Sequence, residues 1–239
     1  MSALRGIVLD DAMSDVRVVL VRDLGRGPES YASLRDSIAQ RFVVHEMDLL
    51  DGSPRDRQDV SVADWVDSLE RLLDDIPTVS AVCIGDNIGS LVVEHFAATR
   101  PDRIEGLVLL NPLHALSASA RSEYEDLSRR VTTEGIEVFH EWRAASRPMR
   151  PTPVVDTPPD LHAIAAAWRA VATAHTSDLC ELHAPSLICF NESSEIHNDA
   201  AAVLANEIAL STSVAMSAHD DSSAAIMQFL SSTLEEVTP

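Results

Sequence analysis

Lysine is missing from this sequence: all 18 basic residues among the 239 are arginine. That absence removes Schiff-base catalysis and the lysine of a phosphate-binding P-loop from consideration. Positive charge of any kind is scarce, with 38 acidic residues against those 18 and a formal net charge of −20. Nucleic acids and anionic membrane surfaces both demand a positive footprint, so neither is an expected partner. Long apolar runs are lacking too, and none approaches the roughly 18 to 20 uninterrupted residues of a membrane span. The opening Met-Ser-Ala-Leu-Arg has no basic region leading into an apolar stretch, and no signal peptide is expected. Only three cysteines occur. Cys83 and Cys189 sit inside apolar strand-like runs, and with Cys180 they are expected to be reduced thiols in a cytoplasmic protein.

What is present is an apolar content of 46%, enough for a packed core, in a length suited to one α/β domain. The lysine-free, Ala/Asp/Arg/Val-rich composition suggests a GC-rich bacterial genome. Short β-branched runs predict strands at Val16–Val21, Phe42–Met47, Val79–Ile84, Gly106–Leu110, Pro185–Phe190 and Thr212–Met216. Gly6–Leu9 is expected to add an antiparallel edge. Helical patterns lie between these runs. Val62, Trp65, Val66, Leu69, Leu72, Leu73 and Ile76 form one apolar stripe, with Ser61 as its expected cap. Strand and helix in alternation predict an α/β fold, a mostly parallel twisted sheet with helices on both faces.

The alternation breaks between about His114 and Asp178. That stretch is helical, is interrupted by Pro148, Pro151, Pro153, Pro158 and Pro159, and resumes as a stripe from Leu161 to His175. Residues 1–113 and 179–239 are therefore read as the core, and residues 114–178 as a helical lid inserted into it.

The most informative segment is Val79–Pro112, where a strand ends in Gly85-Asp86-Asn87-Ile88-Gly89-Ser90 and a helix begins at once. Glycines at such spacing serve a strand-to-helix turn too sharp for side chains. This segment, with the Arg-Pro-Asp-Arg-Ile-Glu-Gly run after it and the Val18–Leu34 stretch before it, resembles the α/β-hydrolase fold superfamily. The likeness covers almost the whole chain and implies that fold with a lid.

It also implies a catalytic triad whose positions have changed. The nucleophile falls on Asn87, and a carboxamide cannot form the usual acyl-enzyme. Asp86, one residue away, lies off the apex. Ser194 aligns with the acid position, in Asn191-Glu192-Ser193-Ser194-Glu195. Glu195, Glu192 and Asn111 are the other candidates to support a histidine. That histidine is expected to be His219, after the Thr212–Met216 strand. The resemblance places oxyanion-binding amides at Ile88 and at Asp23 or Leu24. Arg22-Asp23 stands where the family reads His-Gly, and Arg22 either binds a substrate carboxylate or enolate or pairs with Asp23. Cys180, His183 and Cys189 have metal-ligand chemistry but no fourth ligand. No metal, nucleotide or flavin cofactor is predicted.

Three functions remain open. The first is a non-hydrolytic enzyme of bacterial natural-product metabolism, a lyase, cyclase, isomerase or decarboxylase. It would use His219 as general acid/base and an oxyanion hole with Asn87. The second is an atypical esterase in which His219 activates water. The third is a ligand-binding protein without turnover. In each the partner is a small, largely apolar molecule held under a lid.

Overall fold

Six β-branched runs fold as predicted into the strands of a single sheet in this computed structural model, which describes residues 16–50, 59–146, 160–216 and 222–234. The strands are β1 (Arg17–Val21), β2 (Val43–Met47), β3 (Ala81–Asp86), β4 (Ile104–Leu110), β5 (Ser186–Asn191) and β6 (Ser211–Met216). Their order is β2-β1-β3-β4-β5-β6, and every neighbouring pair is parallel. Parallel neighbours require long crossovers, and helices supply them: α1 (Ala32–Ala39), α2 (Val62–Asp75), α3 (Ile88–Thr99), α4 (Ala118–Glu134), α5 (Glu137–Ser146), α6 (Leu161–Thr173) and α7 (Glu195–Glu207), with α8 (Ser223–Leu234) following β6. The expected strand Gly6–Leu9 and the proline cluster at 148–159 lie outside the described residues.

Side-chain alternation along the strands sorts the core into two layers. Val18, Leu20, Val82, Ile84, Val108 and Leu110 face the side where Leu34, Ile38, Ile226 and Leu230 of α1 and α8 pack. Val19, Val21, Cys83, Leu107 and Leu109 face the opposite layer, built largely from α2, α3 and the segment between β4 and β5. The predicted stripe of α2 buries Trp65, Leu69 and Leu73. Ser61 caps that helix with a reciprocal bond to Asp64, a capping box. α3 is buried on nearly all sides, as its apolar sequence demands.

Among the described residues between β4 and β5 there are three helices, α4, α5 and α6. α4 packs along α6, with Ser128 Oγ donating to the Ala165 carbonyl at 2.8 Å. Phe139, Trp142 and Trp168 form an aromatic cluster with centroids 5.4 to 6.0 Å apart. The stripe of α6 ends at Thr173, so His175 is exposed rather than part of the apolar face.

Candidate functional site

The chain leaves β1 toward β2 on one side and returns to β3 on the other, so the carboxyl ends of β1 and β3 form the switch point of the sheet. In open parallel sheets ligands bind at that point. Asn87 stands there, between β3 and α3, at φ 50° and ψ −108°. A non-glycine residue with positive φ stores strain of about 1 to 3 kcal/mol. The turn is held by the Asn87 amide donating to the Leu110 carbonyl at 2.8 Å and by Ser90 Oγ donating to the Asn87 carbonyl at 2.6 Å. Both flanking glycines are required. A Cβ on Gly85 would lie 2.4 Å from the Gly89 carbonyl oxygen, and one on Gly89 would lie 2.3 Å from the carbonyl oxygen of Val21. The backbone of a nucleophile turn is thus intact, with a carboxamide at its apex. Asn87 is only 6% exposed, and its Oδ1 has no hydrogen-bond partner among the described residues. Its side chain does not cap α3, so the Ile88 amide at the helix start receives no acceptor from it, while the Ser90 amide donates to the Asn87 carbonyl at 3.0 Å.

The β1 loop departs from the expected oxyanion site. The Asp23 amide donates to Tyr31 Oη at 2.9 Å, and the Leu24 amide donates to Asp23 Oδ1 at 2.8 Å. Both candidate donors are therefore occupied within the loop. Arg22 turns toward the end of β2, with Nη2 2.8 Å from Asp48 Oδ2 and Nε 3.8 Å from Glu46 Oε2. It pairs neither with Asp23, whose cation is Arg26 at 3.2 Å, nor into the switch point. The acidic side chains at the end of β2, far off in sequence, decide its direction.

Asp86 is fully buried, and Tyr31 Oη donates to its Oδ2 at 2.9 Å. Asn111, expected as a histidine partner, ties strand ends together. Its amide donates to the Cys189 carbonyl at 2.7 Å, and its Oδ1 accepts from the Asn191 amide at 3.2 Å. Its Nδ2 reaches toward Asp86 Oδ1 at 3.4 Å. Ser194 is half-buried at the start of α7, and Glu195, the first residue of that helix, is exposed. His219 lies outside the described residues.

Sequence reasoning missed two buried ionic groups. Phe139 of α5 sits over Gly25 of the β1 loop, close enough that a Cβ on that glycine would overlap the ring. One turn later, Arg143 lies over the same ring, 5.4 Å from its centroid. Arg143 is 5% exposed, and its Nε has no partner among the described residues. Burial pushes its pKa down, as does the neighbouring Arg26, while Asp23 and Tyr31 oppose them. Burial raises the pKa of the Tyr124 phenol on α4, and the charge of Asp23 adds to it. Both helices therefore bring side chains within electrostatic range of the β1 loop. The available signal was that Arg143 falls on the buried stripe of Val138, Phe139 and Trp142.

The second group is His114, after β4. Its Nδ1 lies 3.0 Å from Glu94 Oε2 of α3, and its Nε2 lies 3.3 Å from Glu207 Oε2 of α7, an ion contact off the hydrogen-bond axis. Burial alone would lower the pKa of this imidazole, but the hydrogen bond and charge of Glu94, with Glu207, hold it above the ordinary value. The Cys83 and Cys189 thiols are pushed up to about 12 by burial, which makes them poor nucleophiles. Among the described residues no three His, Cys, Asp or Glu side chains converge as a metal site. No helix there is long and apolar enough to cross a membrane.

Residues 37–139 match the model of the Ndr family. A stretch of 61 residues is 41% identical to the lipase LipV of Mycobacterium tuberculosis, spanning 26% of this chain and 23% of that protein. Among solved structures, MenH from S. aureus superposes with a TM-score of 0.80 at 20% identity, covering 93% of this chain and 96% of that one. An esterase from Thermogutta terrifontis gives a TM-score of 0.78 at 19% identity, over 92% and 91%. An enol-lactonase from Burkholderia xenovorans gives 0.72 at 18% identity, over 91% and 92%. At these identities the likeness is one of fold.

Proposed function

We propose that this chain, which has the α/β-hydrolase fold, is a cofactor-independent enzyme that acts by proton transfer on a small enolisable substrate, without an acyl-enzyme. The reaction belongs to the lyase, cyclase, isomerase or decarboxylase type. The observation that carries this reading is the elbow: its strained backbone and both glycines are intact, while its apex is a buried carboxamide with an unpartnered oxygen. Asn87 forms no ester or thioester, but its Nδ2 can donate to a substrate carbonyl beside the Ile88 amide as that carbonyl gains enolate charge. His219 is the proposed acid or base that moves the proton. The triad is then degenerate, with Ser194 at the acid position. The three helices between β4 and β5 are the proposed lid, and bacterial natural-product metabolism is the proposed setting.

A hydrolase in which His219 activates water is the second reading, favoured by the esterase and lipase relatives. The closed β1 loop weighs against it, because the Asp23 and Leu24 amides are already donating and a tetrahedral oxyanion would find one elbow amide.

Two rates separate these readings: hydrolysis of p-nitrophenyl butyrate, and deuterium incorporation at the α-carbon of a panel of β-keto esters in D2O. The proposal expects exchange that depends on Asn87 and His219, with no burst of nitrophenolate. Rapid ester turnover abolished by His219→Ala would establish the hydrolase instead.

A further inference from the structure

The Arg143 guanidinium is nine-tenths buried, and no carboxylate among the described residues forms an ion pair with it. Asp23, the carboxylate whose charge reaches it, is held by Arg26 at 3.2 Å and accepts from the Leu24 amide. Among the described residues the guanidinium therefore lacks the ion-pair partner that burial would ordinarily demand. Its position is built rather than incidental. Gly25, at φ +64°, admits the Phe139 ring, and that ring carries the guanidinium on its face.

We propose that Arg143 is a specificity-determining residue that binds a carboxylate of the substrate. Nε–H and a neighbouring Nη–H form a fork that matches the two oxygens of a carboxylate side-on, and Nε is the atom found buried without a partner. The substrate class is then a small carboxylic acid whose apolar body lies near Phe139 and Trp142 and whose reacting carbonyl faces Asn87. The proposal rests on the elbow being the ligand site, and it is tested by binding alone.

The test is a tryptophan-fluorescence titration of the full chain, using Trp142 and Trp168 as reporters, which lie 5.4 Å apart edge to face. The probes are butyrate, hexanoate and cyclohexanecarboxylate, each against its amide, with hexanesulfonate and inorganic phosphate to separate a carboxylate site from a general anion site. Saturable binding of carboxylates is expected, with amides weaker by at least about tenfold and Arg143→Met losing a similar factor. Arg143→Lys should recover part of the affinity. Thermal unfolding checks that the variants fold. An arginine kept for ligand leaves the melting temperature of Arg143→Met at or above wild type, whereas one in a structural ion pair would lower it. Equal binding of acids and amides, unchanged binding by Arg143→Met, no saturable carboxylate binding, or preference for sulfonate or phosphate would each overturn the proposal. Carboxylate binding without any turnover would leave it standing while removing the enzymatic reading. Turnover dependent on Asn87 with no carboxylate binding would do the reverse.

Discussion

His114 and Arg143 are both basic side chains in the interior, and their surroundings could hardly differ more. His114 has a carboxylate facing each ring nitrogen, Glu94 at 3.0 Å and Glu207 at 3.3 Å, in a set joining α3, the β4 exit and α7. Arg143 lies against the β1 loop with no paired carboxylate among the described residues. Removing one member of a matched buried pair strands the other charge, whereas removing a buried charge without an ion-pair partner strands none. The same contrast separates Asp86, satisfied by Tyr31, from Asn87 next to it, whose carboxamide oxygen is unpartnered. Structure and function divide at that peptide bond.

The largest expected effect comes from breaking the paired set. His114→Leu leaves Glu94 fully buried without its partner, and urea unfolding should show a loss of about 3 to 5 kcal/mol. A loss below about 1 kcal/mol would mean the set is not structural. Gly89→Ala drives a methyl into the Val21 carbonyl and should cost about 1 to 3 kcal/mol by the same assay. Arg143→Met should unfold at or above the wild-type midpoint, and a drop as large as that of His114→Leu would erase the contrast.

The paired set also has a pH signature. The pKa of His114 is raised above 6.5 in the folded state, so its contribution is fully present below 6.5 and is lost as pH rises through the raised value. Wild-type stability should therefore fall relative to the double variant Glu94→Leu, His114→Leu between pH 6.5 and that higher value. Parallel profiles would show that the imidazole carries no linked proton. The smallest expected effect is at the elbow itself. Asn87→Gly relieves the positive φ and should stabilise by up to about 1 kcal/mol in urea titrations.

Much of this fold was legible in the sequence because its signals are local. Buried parallel strands read as continuous β-branched runs, and Ser61 followed by Asp64 reads as a cap before a helical stripe. Gly85 and Gly89 announced the turn because nothing larger fits beside the carbonyls they touch. Partnerships between distant residues were not legible. Arg22 turns to Asp48, and Asn111 to Asn191, because the parallel sheet brings strand ends together that lie 26 and 80 residues apart. Arg143 was overlooked because an arginine in a helix ordinarily marks its solvent face. Only the packing of Phe139 onto Gly25 turns that stripe inward.

The central claim is that Asn87 donates to charge that develops during reaction. The direct measurement is the kcat and KM of Asn87→Ala for α-deuterium exchange on whichever β-keto ester of the panel the wild type turns over. The account predicts a fall in kcat of about 100-fold or more with KM nearly unchanged, as when one oxyanion donor is removed. Full kcat in Asn87→Ala would contradict it.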